Sequence, residues 1–369
     1  MTKIEHFQQV STTYCNIDNK KFVEEILYPA SVDWREAVSV AENADSNTLD
    51  LLAQHYITDF PNTYTFTKRL AEHCVNDLLV GKVPTVICRP SVVIGSLEEP
   101  FEGWSDNFNG PVGLLIAGAS GLLRIVYADS EIDTDYNAVD NVVKGMIVSA
   151  WHNATATGNL QEIFIYQMCK GDKLPYKLGN LIEHGKKLYW DIPLERKVWF
   201  PRNKPTKCWY EYFVTVLLCQ VIPAMFFDLV LWIAGYPPTI FKIQRKIYIA
   251  NMAISHFMLN DWKFDNRKYD ELFEIVPIEE RSDFNFTVRP SSEFLIYDFY
   301  MKCGNYVRYY LLKESKEVTQ KNKTRTLWMF CADWVLRVVS YLGLAWIVLV
   351  KYCVPLTIFN AFSLYWINL

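Results

Sequence analysis

Tyr64 and Lys68 stand four residues apart in Asn62-Thr63-Tyr64-Thr65-Phe66-Thr67-Lys68. On a helix that spacing puts both side chains on one face, where an ammonium acts on a phenol. An unperturbed tyrosine titrates near pH 10, and a fixed cation beside it favours the phenolate, so the pair is expected to bring an acid/base group closer to neutral pH. Ahead of it, Ser11 and Thr12 follow the apolar Phe7 and Val10. Hydroxyls placed where a strand ends would lie at the carboxyl edge of an open α/β sheet, the edge at which such sheets bind ligands. They also suit the simpler task of capping the next turn.

The elements that must position these residues can be read around them. Ile4 to Tyr14 predicts a short strand running into a polar turn. Helices are expected over Asp33–Glu42 and Asn47–Thr58. Pro61 ends the second, and Asn62 or Thr63 caps the helix that carries Tyr64 and Lys68. Leu70, Ala71, Cys74, Val75, Leu78 and Leu79 recur at helical spacing and predict the face packed on the sheet. A β-branched strand from Val83 to Arg89 follows, and Pro90 is expected to break its ladder and turn the chain outward through Ser91, Val92 and Val93. Farther on, Ile125–Ala128 and Ile163–Met168 read as strands and Val142–Trp151 as a helix capped by Asp140.

A hydroxyl at a strand end, a helix with Tyr and Lys, and a strand closing in Arg89-Pro90-Ser91-Val92-Val93 form an order more specific than any of its parts. It resembles the second half of an extended short-chain dehydrogenase/reductase. Val10-Ser11-Thr12-Thr13-Tyr14-Cys15-Asn16, Pro61 to Lys68 and Gly103 to Gly113 narrow the likeness to the fatty acyl-CoA reductases. Phe226 to Leu231, Gln244 to Tyr248, Trp262 to Asn266 and Phe284 to Phe286 resemble that family's male-sterility-type C-terminal domain. The fold class so implied is α/β: a partial Rossmann-like domain, then a mainly α-helical domain, then a hydrophobic membrane tail. The boundaries expected are 1–185 for the nucleotide-binding part, 186–209 for a basic aromatic connector, 210–315 for the helical domain and 327–369 for the anchor. Such reductases open with a glycine-rich turn and several βαβ units. Only nine residues precede Val10 and no Gly-x-x-Gly-x-x-Gly occurs, so a member without that first half is expected, whether fragment, truncated gene model or degenerate copy.

The resemblance implies NADPH-dependent reduction of a long-chain fatty acyl-CoA to a primary alcohol. In it Tyr64 is the proton donor, Thr12 or Ser11 the second donor, Lys68 holds the nicotinamide ribose, and Pro90, Ser91, Val92 and Val93 flank the nicotinamide. Two rivals stand beside it. Another extended short-chain enzyme would share Tyr64 and Lys68 but not the segment from Phe226 to Phe286. A membrane-anchored remnant without activity would bind acyl chains or a full-length partner.

Composition bounds the rest. With 51% hydrophobic and 15% aromatic residues in 369, the chain buries a large core, and a net charge of −4 argues against nucleic acid. Nine scattered cysteines without a Cys-x-x-Cys pair argue against zinc or a disulfide framework and for a reducing, cytosol-facing setting. The polar segment Met1 to Gln9 does not read as a signal peptide. The stretch 186–207 interleaves Lys186, Lys187, Arg196, Lys197, Arg202, Lys204 and Lys207 with Tyr189, Trp190, Trp199 and Phe200. It reads as a lipid-surface contact, a site for coenzyme A phosphates or a solvated connector. Phe213–Gly235 is apolar but interrupted by Pro223 and Asp228, and predicts a helix pair that docks on the acyl side or dips into the membrane interface. Leu327–Val350, continued by Val354–Leu369, predicts an anchor or a re-entrant hairpin with the body on the cytosolic side, in the endoplasmic reticulum or peroxisome membrane, with a pair of buried core helices as the soluble alternative. Expected partners are acyl-CoA and membrane lipid, with no nucleic acid and no metal; a homo-oligomer is left open.

Overall fold

The computed structural model describes residues 4–18, 21–106, 108, 111–156, 160–171 and 175–350. In chain order its elements begin β1 (Phe7–Val10), β2 (Phe22–Val23), α1 (Trp34–Asn43), α2 (Ser46–Tyr56), α3 (Thr63–Leu79), β3 (Thr85–Pro90) and β4 (Val92–Ile94). Next come α4 (Pro111–Ala119), β5 (Ile125–Tyr127), β6 (Tyr136–Ala138), α5 (Val139–Ala156), β7 (Phe164–Met168), α6 (Leu178–Asp191) and β8 (Lys204–Thr206). The remainder is α7 (Trp209–Val216), α8 (Ile222–Ile233), α9 (Ile240–Leu259), β9 (Lys263–Phe264), α10 (Arg267–Glu274), α11 (Glu293–Tyr306) and α12 (Gln320–Val348).

Three strands form a parallel sheet in the order β1-β3-β7, with Val10 opposite Cys88 and Arg89 opposite Gln167. Parallel neighbours need crossovers, and α3 and α5 provide them, so β3 is buried along its whole length. This is the partial Rossmann-like arrangement. Smaller parallel pairs, β4 with β6 and β5 with β8, continue beyond it. Pro90 does not break the β3 ladder: it stays in register with Met168, and the chain leaves one residue later, where the Ser91 N–H donates to the Met168 carbonyl at 3.3 Å. Proline has no N–H to offer a ladder, so it serves only as the last rung.

The core crosses the expected division of the chain. Val86, Cys88, Val148, Tyr166 and Met168 pack with Tyr269, Leu272 and Phe286 from the helical part. A Cβ at Gly145 would lie 2.5 Å from the Tyr269 hydroxyl, so this close approach of α5 and α10 requires glycine. Glu25 stitches the same seam, its carboxylate accepting N–H groups of Gln167, Lys268 and Tyr269.

Two sequence expectations for helices change. The buried residues of α3 are Thr65, Phe66, Arg69 and Glu72, whereas Leu78, on the face predicted to pack, is 44% exposed. Its buried face is set by ion pairs rather than by apolar spacing: Arg69 meets Asp18 at 2.7 Å and Glu72 meets Arg89. Asp140 lies in the first turn of α5 instead of at its cap, and its carboxylate accepts the N–H groups of Leu97, Glu98 and Glu99, fixing that loop.

The apolar stretch from Trp209 to Ile233 is one helical run of 25 residues, long and apolar enough to cross a membrane, rather than an interrupted one. A π turn over Leu217–Val221 precedes Pro223 and absorbs the N–H that proline lacks. Asp228 is satisfied by the N–H groups of Thr239, Ile240 and Phe241 at 2.8–2.9 Å, so it caps α9 across a hairpin. The second such helix, Gln320–Ile347, is mostly exposed. Within it Asp333 binds Arg124 at 2.7 Å, Trp199 at 2.8 Å, Arg202 at 3.2 Å and Arg337 at 2.9 Å. Lys197 is buried between the Leu194 carbonyl and Asn322. The basic stretch is therefore docked: its first residues belong to α6, and Lys197, Trp199 and Arg202 contact α12. The continuation Val354–Leu369 lies outside the described residues.

Candidate functional site

The site is the carboxyl edge of the three-stranded sheet. Because β1, β3 and β7 run parallel, Ser11 and Thr12, then Pro90 and Ser91, then Cys169 and Lys170 emerge on one side. Helix α3 starts beside them. Asn62 caps it, its Oδ1 accepting the Thr65 N–H at 3.0 Å, which sets Tyr64 in the exposed first turn and Lys68 one turn below.

Lys68 Nζ donates to the Val10 carbonyl at 2.8 Å and lies 5.8 Å from the centroid of the Tyr64 ring. The last residue of β1 thus clamps the ammonium, and the ammonium flanks the ring. Thr12 is buried and its hydroxyl accepts the Tyr14 N–H at 3.3 Å, a capping contact that leaves the hydroxyl hydrogen free to donate. The Thr12 side chain also interacts with Tyr64. Ser11 faces elsewhere, 3.6 Å from the Cys15 thiol and bonded to Glu72. The structure therefore brings Thr12, Tyr64 and Lys68 together and assigns Ser11 to the interior. Pro90, Ser91, Val92 and Val93 leave the adjacent strand end, Ser91 buried and Val93 exposed.

The electrostatics differ from the expectation. Partial burial lifts the Tyr64 phenol above the ordinary tyrosine value, the hydrogen bond with Thr12 pulls the other way, and the Lys68 charge does not enter the balance. The ammonium is committed to Val10, and Tyr64 is half exposed. A phenol so placed stays protonated at neutral pH, which is the form that donates.

Beneath the edge lies a pair that sequence reasoning missed. Arg89, at the end of β3, grips Glu72 of α3 with two parallel bonds, Nε to Oε1 at 2.8 Å and Nη2 to Oε2 at 2.7 Å, both side chains being fully buried. Burial alone would raise the Glu72 carboxyl, and the Arg89 guanidinium outweighs it, holding the group below the usual range. Arg89 also donates to the Ile26 carbonyl at 2.9 Å. Residues 64, 68 and 72 fall on one helical stripe, so fixing Glu72 fixes the roll of α3 and with it Tyr64 and Lys68. The signal was a lone acid eight residues after Tyr64 facing an arginine at a strand end, a pairing that needs the fold to be seen.

These groups can hold a polyhydroxylated ring against a clamped ammonium and present a hydroxyl and a phenol to a developing oxyanion. They fit the ribose and nicotinamide end of a dinucleotide. Among the described residues there is no cluster of three or more side chains suited to a metal ion.

Two family models match the chain, both described as Male sterility protein: a NAD-binding model over residues 1–146 and the Sterile model over residues 219–314. Fatty acyl-CoA reductase 1 of Xenopus laevis is 34% identical over 289 residues, 78% of this chain and 55% of the relative. Its Homo sapiens counterpart is 31% identical over the same shares, and Fatty acyl-CoA reductase wat of Drosophila melanogaster is 30% identical over 76% of this chain and 53% of the relative. The chain spans about half the length of the curated relatives it matches. Among solved structures, the terminal R domain from the myxalamid PKS-NRPS biosynthetic pathway overlays with a TM-score of 0.47 at 11% identity, over 80% of this chain and 57% of that one.

Proposed function

The chain belongs to the male sterility family of fatty acyl-CoA reductases, and from that premise we propose that it reduces a long-chain fatty acyl-CoA to the primary alcohol with NADPH, releasing coenzyme A as the thiol. The observation that carries the reading is the grouping of Thr12, Tyr64 and Lys68 at the carboxyl edge of the sheet. Lys68, held by Val10, would bond the ribose hydroxyls, and the residues from Pro90 to Val93 would hold the nicotinamide. Bound there, one NADPH would supply one hydride, so the two reductions would consume two NADPH in turn.

Tyr64 donates its phenolic proton to the carbonyl oxygen as negative charge develops on it, and Thr12 gives that oxygen a second hydrogen bond. A phenol whose pKa lies above the ordinary value is the right acid for this direction of reaction, being fully protonated at neutral pH. The hydrogen bond with Thr12 stabilises the phenolate left behind, until solvent returns the proton. When the hemithioacetal collapses, its hydroxyl proton is lost as the carbon–sulfur bond breaks and the departing sulfur gains a proton, giving the aldehyde and free thiol; the aldehyde is then reduced by the same groups with a second NADPH.

Helix α12 is the membrane anchor on this reading, with Lys321, Lys323 and Arg325 before its apolar half placing the body on the cytosolic side, in the endoplasmic reticulum or peroxisome. The test is direct: purified protein in detergent is titrated with NADPH and then given hexadecanoyl-CoA. Binding followed by hexadecanol and free thiol supports the proposal, and absence of both defeats it.

A further inference from the structure

We propose that two adjoining cavities behind the Pro90–Val93 turn form one two-part site for an acyl thioester, the apolar cavity taking the acyl chain and the cationic one the phosphate-bearing thiol arm. The inference deepens the fatty acyl-CoA reading and rests on it.

The apolar cavity lies between α4, α6 and α11, walled by side chains such as Leu115, Ile116, Leu181, Leu188 and Phe299. The second is lined by Lys170 and Arg289 together with Thr134, Tyr136, Asn141 and Tyr176. Ile94, Phe299 and Tyr300 line both, so a single partition separates them. Ile94 ends β4, directly after Val92 and Val93, which ties the partition to the strand edge described above. In the cationic cavity the buried Arg289 Nε has no hydrogen-bond partner among the described residues. A buried guanidinium nitrogen left this way costs free energy that an anionic ligand recovers.

The glycines of the apolar cavity differ in what they do. A Cβ at Gly304 would come within 2.5 Å of Ile192 Cδ1, and one at Gly95 within 2.9 Å of the Cys303 sulfur, so those two let walls close up. A Cβ at Gly185 would meet only the Tyr189 hydroxyl, at 3.8 Å. Gly185 sits inside α6, where glycine is less favourable than alanine by about 1 kcal/mol, and no backbone approach requires it there. What its missing side chain provides is room in the cavity. Beside it, the wall at Ile192 and Leu194 is held by the base of α12: Asn322 donates to the Pro193 carbonyl at 2.6 Å and Lys197 to the Leu194 carbonyl at 2.8 Å. The acyl cavity therefore adjoins the root of an exposed apolar helix, where a chain drawn from a bilayer would arrive.

The test is calorimetric titration of the full chain in lipid nanodiscs with hexadecanoyl-CoA, octanoyl-CoA and free coenzyme A. Gly185→Leu should weaken hexadecanoyl-CoA about tenfold or more, octanoyl-CoA less, and coenzyme A not at all, since each displaced methylene in an apolar pocket counts separately. Ile116→Trp, filling the cavity from α4, should give the same pattern. Arg289→Gln should weaken coenzyme A and hexadecanoyl-CoA alike. Equal loss of all three ligands in Gly185→Leu and Ile116→Trp, unchanged hexadecanoyl-CoA affinity in both, or no binding of any ligand by the wild type overturns the site. The predicted pattern without alcohol formation would sink the reductase reading alone; alcohol formation with chain-length preference unmoved by Gly185→Leu would sink the site alone.

Discussion

The strand edge and the two apolar helices handle polar groups in opposite ways. In the apolar helices the two buried acids are saturated: Asp228 accepts three backbone N–H groups, and Asp333 is surrounded by three arginines and a tryptophan. At the edge, Thr12 shares its hydroxyl only with the Tyr14 N–H and the Tyr64 phenol, Tyr64 is half exposed, and Lys68 gives one N–H to Val10. The saturated acids act as rivets: one closes the α8–α9 hairpin, the other ties α12 to the body. The spare capacity at the edge is what a substrate can use, and it survives folding because Arg89 and Glu72, saturated like the helical acids, lock α3 from beneath. Chemistry is expected where hydrogen-bonding capacity remains, and stability where it has been consumed.

Breaking a rivet gives the largest effect. Arg89→Met leaves Glu72 buried without its partner and should lower stability by about 3–5 kcal/mol, read as a drop in the urea midpoint. Adding Glu72→Leu should recover most of that loss, because the uncompensated charge is what hurts. Next come the two neighbouring hydroxyls, which the comparison separates. Thr12→Val should cost about 100-fold in turnover with little change in unfolding, as expected for one oxyanion donor. Ser11→Ala should instead lower stability by about 1 kcal/mol and leave turnover close to wild type. Asn62→Ala removes the α3 cap and should lower stability by about 0.5–2 kcal/mol, with a thermal shift as the readout.

The smallest effect is a slope with pH. Glu25 is buried at the seam between sheet and α10, and burial lifts its carboxyl from 4.5 to about 7 against the pull of its N–H donors. The folded state thus binds this proton more tightly than the unfolded state. The stabilisation it contributes is complete below about pH 4.5 and is lost as pH rises through about 7. Glu25→Gln should flatten that part of the profile of unfolding midpoint against pH.

What the sequence disclosed was local. The Tyr64 to Lys68 spacing, the Asn62 cap and the strand ending at Pro90 are set within a few residues, so their types and intervals announce them. The contacts that hold them were hidden because they join distant positions: Glu72 reaches Arg89 through a crossover, and Arg124 reaches Asp333 across 209 residues. Leu78 misled for a related reason, since apolar periodicity marks a face that can be buried, and ion pairs decided which face of α3 was. Pro223 misled because a π turn just before it lets the helix continue. The division between Thr12 and Ser11 depended on side-chain direction at the end of β1, which two adjacent hydroxyls cannot reveal by spacing.

The central claim is that Tyr64 delivers the proton to the carbonyl oxygen. Single-turnover reduction of hexadecanoyl-CoA with NADPH, followed for wild type and Tyr64→Phe under the same conditions, tests it most directly. A loss of about 10²–10⁴-fold in the rate, with unchanged NADPH affinity and unfolding midpoint, is the predicted result. A variant that reduces the thioester at the wild-type rate would contradict it.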